Sequence, residues 1–229
     1  MSTTPASTQR VRLHVEDTGG SGRPVVLIHG WPLSAESWKA QIGPLRDAGF
    51  RVVAYDRRGF GRSENPASGF DYDTLAADLS GVIEDLDLRN VTLVGFSMGG
   101  GEVARYIRNH GEARLHSVVF ASAVPPYMLK TDDNPEGPLT TEKAQEMQAG
   151  LNAGREVFFD QFTRDFFTAD GEMMVTEVER QESFKLALQS DLAAALGCME
   201  AFGTTDFRAD LQKITVPTLV LHGNADGTV

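Results

Sequence analysis

The chain is poor in cysteine: Cys198 is the only one in 229 residues. An internal disulfide is therefore excluded. Set among Leu196, Met199 and Phe202, Cys198 reads as a small buried side chain. A lone thiol suits a reducing compartment, so a cytoplasmic location is expected. Positive charge is also scarce. Lys and Arg number 21 against 32 Asp and Glu, a net charge of −11. Such a surface repels phosphate backbones and argues against a nucleic-acid partner. No apolar run approaches the roughly 18 residues a membrane helix needs, which argues against a membrane partner. Met1–Ala6 has neither a basic start nor an apolar core, so no signal peptide is expected. Internal repeats and low-complexity segments are lacking as well.

What is present is ordinary for a globular protein: 41% hydrophobic and 23% charged residues. The length allows one sizeable core, with room for an insertion. Short apolar runs alternate with helical patterns. Val11–Val15 alternates apolar and polar, as a half-exposed strand does. Pro24–Ile28 and Phe50–Tyr55 are continuous and β-branched, as strands covered on both faces should be. Leu75–Leu88 has helical spacing, with Asp73 or Thr74 as its N-cap. Strands follow at Val91–Val94, Leu115–Phe120 and Pro217–His222, and a helix after Ser97 ends near Gly111. Strand–helix alternation implies an α/β fold with a mostly parallel sheet.

Between Pro125 and Leu211 the strand signal disappears. Helices are expected at Thr141–Ala149, Arg155–Phe167, Glu177–Leu188 and Leu192–Ala201. The resulting division is a core over 1–124, a helical cap over 125–211 and a core continuation over 212–229. Phe158, Phe159, Phe162, Phe166 and Phe167 fall in the cap, and their spacing assigns most of them to packing.

Gly95-Phe96-Ser97-Met98-Gly99 follows a β-branched run and precedes a helical stretch. Strand, sharp turn and helix are the context of a nucleophile elbow, which lifts a serine out of the sheet. A serine hydroxyl needs a base, a group that orients the base, and donors for an oxyanion. In open α/β sheets these gather at the carboxyl ends of the strands. His29-Gly30-Trp31-Pro32 lies at such an end, where the N–H of Trp31 could pair with that of Met98. His29 itself reads as structural, bonded to backbone. Asp226 follows the last strand, and the order Ser then Asp suits this architecture. His222, at the strand end, reads as buried and structural. Asp56-Arg57-Arg58-Gly59-Phe60-Gly61-Arg62-Ser63 lacks the end of a phosphate loop and reads as a turn bracing the same face.

These four ordered motifs resemble the α/β-hydrolase fold, and more narrowly the bacterial cofactor-free haloperoxidases, which are also aryl esterases and perhydrolases. Ala123-Val124-Pro125-Pro126-Tyr127-Met128-Leu129 is similar to the same group. The resemblance implies a mostly parallel sheet with an inserted helical cap. It also implies Ser97 as nucleophile, Asp226 as triad acid, and Trp31 and Met98 as oxyanion donors. Pro32 is implied in substrate binding, since a proline there accompanies the peracid-forming members, whose carbonyl at that position helps place peroxide. The implied chemistry is hydrolysis of small or aryl esters through an acyl-serine, with hydrogen peroxide able to replace water. No metal and no cofactor is implied. Similar proteins are often homo-oligomers.

The chain departs from the pattern at its base. The family has a histidine after the acid, beyond one more strand. Here all five histidines, His14, His29, His110, His116 and His222, precede Asp226. The triad histidine is not present, and the C-terminal strand and helix of the fold are expected to be missing. The 229 residues alone are expected to be inactive, with an uncovered sheet edge near Val216–Leu221. The alternatives are a ligand-binding protein without turnover on the same fold, or another hydrolase such as a lactonase or C–C hydrolase.

Overall fold

The computed structural model describes residues 10–229, so the stretch Met1–Ala6 lies outside the described residues. The main sheet is built from β1 (Val15–Asp17), β2 (Pro24–Ile28), β3 (Arg51–Tyr55), β4 (Val91–Phe96), β5 (Leu115–Ala121) and β8 (Thr218–Leu221). Among the described residues their order is β1-β3-β2-β4-β5-β8. Only β1 is antiparallel to its neighbour. Val25, Val26, Leu27 and Ile28 are all buried, as expected of a strand covered on both faces.

The helices α1 (Lys39–Asp47), α2 (Tyr72–Asp85) and α3 (Met98–His110) connect these strands. The buried face of α2 carries Leu75, Leu79, Val82 and Ile83, at the expected helical spacing. Its cap is Asp71, whose carboxylate accepts from the N–H of Thr74, and not Asp73 or Thr74. Thr74 occupies the third helical position, and a carboxylate at Asp71 is the one placed to reach its amide. Gly111 ends α3 at φ 76, a left-handed conformation that glycine adopts without penalty.

The strand expected at Val11–Val15 starts later, at Val15. Its first residues are extended but bond to a loop instead of a strand. The N–H of Arg12 donates to the carboxylate of Glu64 at 3.0 Å, and that of His14 to the hydroxyl of Ser63 at 2.8 Å.

Between β5 and β8 lie α4 (Thr141–Ala153), α5 (Arg155–Phe166), α6 (Glu177–Ala187), α7 (Leu192–Thr204) and the short α8 (Arg208–Leu211). The expectation of no strand here is corrected by a hairpin, β6 (Thr168–Ala169) with β7 (Glu172–Met173). Asp170 and Gly171 turn it at φ 52 and 82, the Asp-Gly pairing that tight hairpins prefer. One buried cluster joins the sheet to these helices, from Val26 and Ile28 through Trp31 to Phe159 and Phe202. Among the described residues no helix is long and apolar enough to cross a membrane.

β8 is the terminal strand of the sheet, and Leu219, Val220 and Leu221 on it are all at least half exposed. A flat apolar edge of this kind is a template for strand pairing. Concentration-dependent self-association is therefore expected in solution. Val220→Lys should raise the concentration at which it sets in by about tenfold, read by light scattering on a size-exclusion column.

Candidate active site

Ser97 sits at the junction of β4 and α3 with φ 52 and ψ −118. A side chain at positive φ is strained, so neighbouring contacts must hold it there. The N–H of Ser97 donates to the Ala121 carbonyl at 3.0 Å. Its own carbonyl accepts from Gly100 at 3.0 Å and from Val124 at 3.2 Å. Only glycine fits on either side of the turn. A Cβ at Gly95 would stand 2.6 Å from the Gly100 Cα, and one at Gly99 would stand 2.5 Å from the Ile28 carbonyl. The loop after β2 is pressed onto the same turn, since a Cβ at Gly30 would stand 3.2 Å from that of Ser97.

Ser97 and Asp226 line one cavity of about 310 Å³, together with Phe96, Ser122, Phe166, Phe167 and Met174. The Oδ1 of Asp226 accepts from the N–H groups of Thr228 at 2.9 Å and Val229 at 3.1 Å. Burial alone pushes this carboxyl up. The two amides, the nearby Ser122 hydroxyl and His222 outweigh burial and hold it below its ordinary value.

Trp31, Pro32 and Met98 are not among the residues lining this cavity. Trp31 is buried and serves as an anchor: its Nε1–H donates to the Ala195 carbonyl at 2.9 Å. Its ring meets Phe159, Phe162 and Phe202 edge to face at centroid distances of 5.2–5.8 Å. Met98 is buried, and its N–H opens α3, where no preceding turn supplies a helical carbonyl. Of the five phenylalanines, Phe158, Phe159 and Phe162 pack on Trp31, while Phe166 and Phe167 form cavity wall.

No histidine lines the cavity among the described residues. His29 is fully buried and bonded to backbone, as read from the sequence. Its Nε2 accepts from the Arg57 N–H at 3.0 Å, which assigns the ring proton to Nδ1, 2.9 Å from the Gly30 carbonyl. Burial, and then the adjacent Arg57 charge, hold His29 neutral, well below its ordinary value. His222 differs from the expectation of a buried side chain. It is exposed because β8 is terminal, and its Nε2 lies 3.1 Å from the Val229 carbonyl oxygen.

The turn at Asp56–Ser63 braces this face through buried charge. Arg57 and Glu102 form an ion pair in which both side chains are at most 1% exposed. The Nη2 of Arg57 also donates to the His29 carbonyl at 2.7 Å, and the Tyr55 hydroxyl donates to Glu102 at 2.6 Å. Asp56 accepts from the N–H groups of Ala35 and Arg62, each at 2.8 Å.

Three lining or bracing residues escaped the sequence reading: Ser122, Met174 and Glu102. Ser122 has φ 38 and lies just past the carboxyl end of β5, where functional groups gather in such sheets. That position was the available signal. Glu102 is one turn past Ser97 on α3, and nothing local marks it as the partner of Arg57.

A family model described as the alpha/beta hydrolase fold matches residues 23–229. The non-heme chloroperoxidase CPO-A1 of Kitasatospora aureofaciens is 44% identical over 211 residues, 92% of this chain and 76% of that protein. The bifunctional esterase/perhydrolase DCH of Acinetobacter calcoaceticus is 37% identical over 222 residues, 96% of this chain and 80% of its own length. Among solved structures, a bromoperoxidase from Bacillus anthracis superposes with a TM-score of 0.91 at 49% identity, covering 94% of this chain and 78% of the other.

Two outcomes follow from the buried charges. Glu102→Leu strands the Arg57 charge and is expected to lower stability by about 3–5 kcal/mol in urea unfolding. His29 stays neutral in the folded chain, whereas the unfolded chain takes up a proton below about pH 6.5. Stability from this residue is thus fully present above that pH and falls as pH drops, by up to about 1.4 kcal/mol per unit. His29→Gln should flatten that part of the profile between pH 7 and pH 5.

Proposed function

This chain belongs to the α/β-hydrolase fold family, in its non-heme haloperoxidase group, and from that premise we propose that its site performs acyl transfer at Ser97. The observation that carries the reading is a serine at φ 52 between β4 and α3, sharing a cavity with Asp226. The substrates are small or aryl carboxylic esters, in an apolar chamber walled by Phe166 and Phe167. Ser97 Oγ attacks the ester carbonyl and the alcohol leaves, which gives an acyl-serine. The N–H groups of Trp31 and Met98 are the donors for the oxyanion, a role supported by the close approach of the Gly30 loop to Ser97. Pro32 contributes its carbonyl to the placement of peroxide.

Water then releases the acid and frees Ser97. Hydrogen peroxide in place of water attacks the same acyl carbon with its O–O bond intact. The acyl–serine bond breaks, Ser97 regains its proton, and a peracid leaves. The names of the chloroperoxidase and the esterase/perhydrolase relatives support both outcomes.

Asp226 orients the base in this scheme, and among the described residues no histidine lines the cavity. A triad without its histidine loses on the order of a million-fold in kcat. A second reading on the same fold is ligand binding without turnover. Chemical rescue separates the two. With p-nitrophenyl acetate the chain should run near the uncatalysed rate. Added imidazole should restore a hydrolysis exceeding that of imidazole itself, lost in Ser97→Ala and weakened in Asp226→Asn. Equal rates for the parent chain and Ser97→Ala in imidazole would leave binding as the function.

A further inference from the structure

We propose that Met174 is a modification site, the thioether that peracids oxidise first in this protein. The inference rests on the perhydrolase reading for the source of the oxidant, and on geometry for the target. Met174 follows the β6–β7 hairpin, and its N–H donates to the Phe167 carbonyl at 2.8 Å. It lines the same cavity as Ser97, yet it is 67% exposed. Its sulfur side chain therefore stands at the rim, where a peracid made at Ser97 passes into solvent.

The other described methionines are placed differently. Met98 supplies the amide next to Ser97, but its side chain is fully buried. Met128 and Met199 are buried as well, and Met147 is partly covered against α5. Met173 is exposed but is not part of the cavity lining. Among the described residues, Met174 alone combines exposure with a place on the cavity wall.

The step balances without any further reagent. A sulfur lone pair attacks the terminal peroxy oxygen, the O–O bond breaks and an S–O bond forms. The proton on that terminal oxygen passes to the leaving carboxylate, which departs as the carboxylic acid and leaves a neutral sulfoxide. Sulfur loses two electrons and the peracid gains them. Hydrogen peroxide alone is the slower oxidant, since hydroxide is a poorer leaving group than a carboxylate. The product is a polar, chiral sulfoxide, reversible by sulfoxide reductases. It places an S=O dipole at the rim of a chamber whose wall is Phe166 and Phe167, which disfavours apolar acyl groups there.

Peptide mass spectrometry of the chain treated with substoichiometric peracetic acid, with catalase present to remove peroxide, reads the site directly. Met174 should gain an oxygen atom first, about fivefold or more faster than Met98, Met128 and Met199, and ahead of Met173. In urea the described methionines should oxidise at similar rates. A lead by Met173 or Met147 in the folded chain, or the same Met174 lead in urea, overturns the proposal. A parallel incubation with acetate, hydrogen peroxide and imidazole, monitored by bromination of a dye, tests the reading beneath it. Peracid release with Met174 spared refutes the site and spares the function. No peracid release refutes the function, while the first incubation still decides the site.

Discussion

The buried ion pair between Arg57 and Glu102 is the constraint on which the face of the sheet bearing Ser97 depends. Arg57 belongs to the loop after β3, Glu102 to the helix that starts at Ser97, and His29 to the loop after β2. Arg57 holds all three: its guanidinium binds Glu102 and the His29 carbonyl, and its backbone N–H donates to the His29 ring. Two charges taken so far from water are tolerated because they pair with each other and find further partners, the His29 carbonyl for Arg57 among them. Tyr55 completes that set at Glu102. The arrangement is sensitive for the same reason: removing one member leaves an uncompensated charge inside the core.

Strain at Ser97 is the feature this clamp makes affordable. A non-glycine residue at φ 52 persists only when its surroundings over-determine it. Hydrogen bonds from Ser97 to β5 and from Val124 to Ser97 fix the backbone of the turn, and the Gly30 loop closes over its side. The other end of the cavity is built differently. Asp226 hangs from β8, the terminal strand, and its carboxylate is held by amides two and three residues away. Serine and acid thus differ in rigidity: the first is set into the core, the second into a short loop at the edge of the sheet.

How much of this was legible in the sequence follows from the range of the interactions. Continuous β-branched runs such as Pro24–Ile28 mark their own strands, because burial on both faces is written into each residue. The Gly-x-Ser-x-Gly turn is similarly local, and both flanking glycines prove to be sterically required. The Asp170-Gly171 hairpin was equally local, but two-residue strands carry too little pattern to stand out between helices. Val11–His14 shows the opposite failure. Its alternation is genuine, yet its partners are Ser63 and Glu64, some fifty residues away, and no local pattern names them. Glu102 and the exposure of His222 belong with it, since both are decided by which segments meet. One continuous apolar cluster runs across the division expected at 124 and 211, joining the helices between β5 and β8 to the sheet.

The phenylalanines show how packing and chemistry share one helix. Along α5 the early rings, Phe158, Phe159 and Phe162, close on Trp31 and fasten the helix to the loop that bears the proposed oxyanion donor. One turn later Phe166 faces the cavity, and Phe167 follows at the helix end. A substitution among the early rings therefore moves the Trp31 backbone as well as the core. One at Phe166 alters the cavity wall and also the ring stack with Phe162 and the edge contact with Phe96. The wall that Phe166 and Phe167 make is not purely apolar, since Ser122, Thr168, Asn224 and Asp226 line the same cavity, so ring faces and polar groups meet around Ser97.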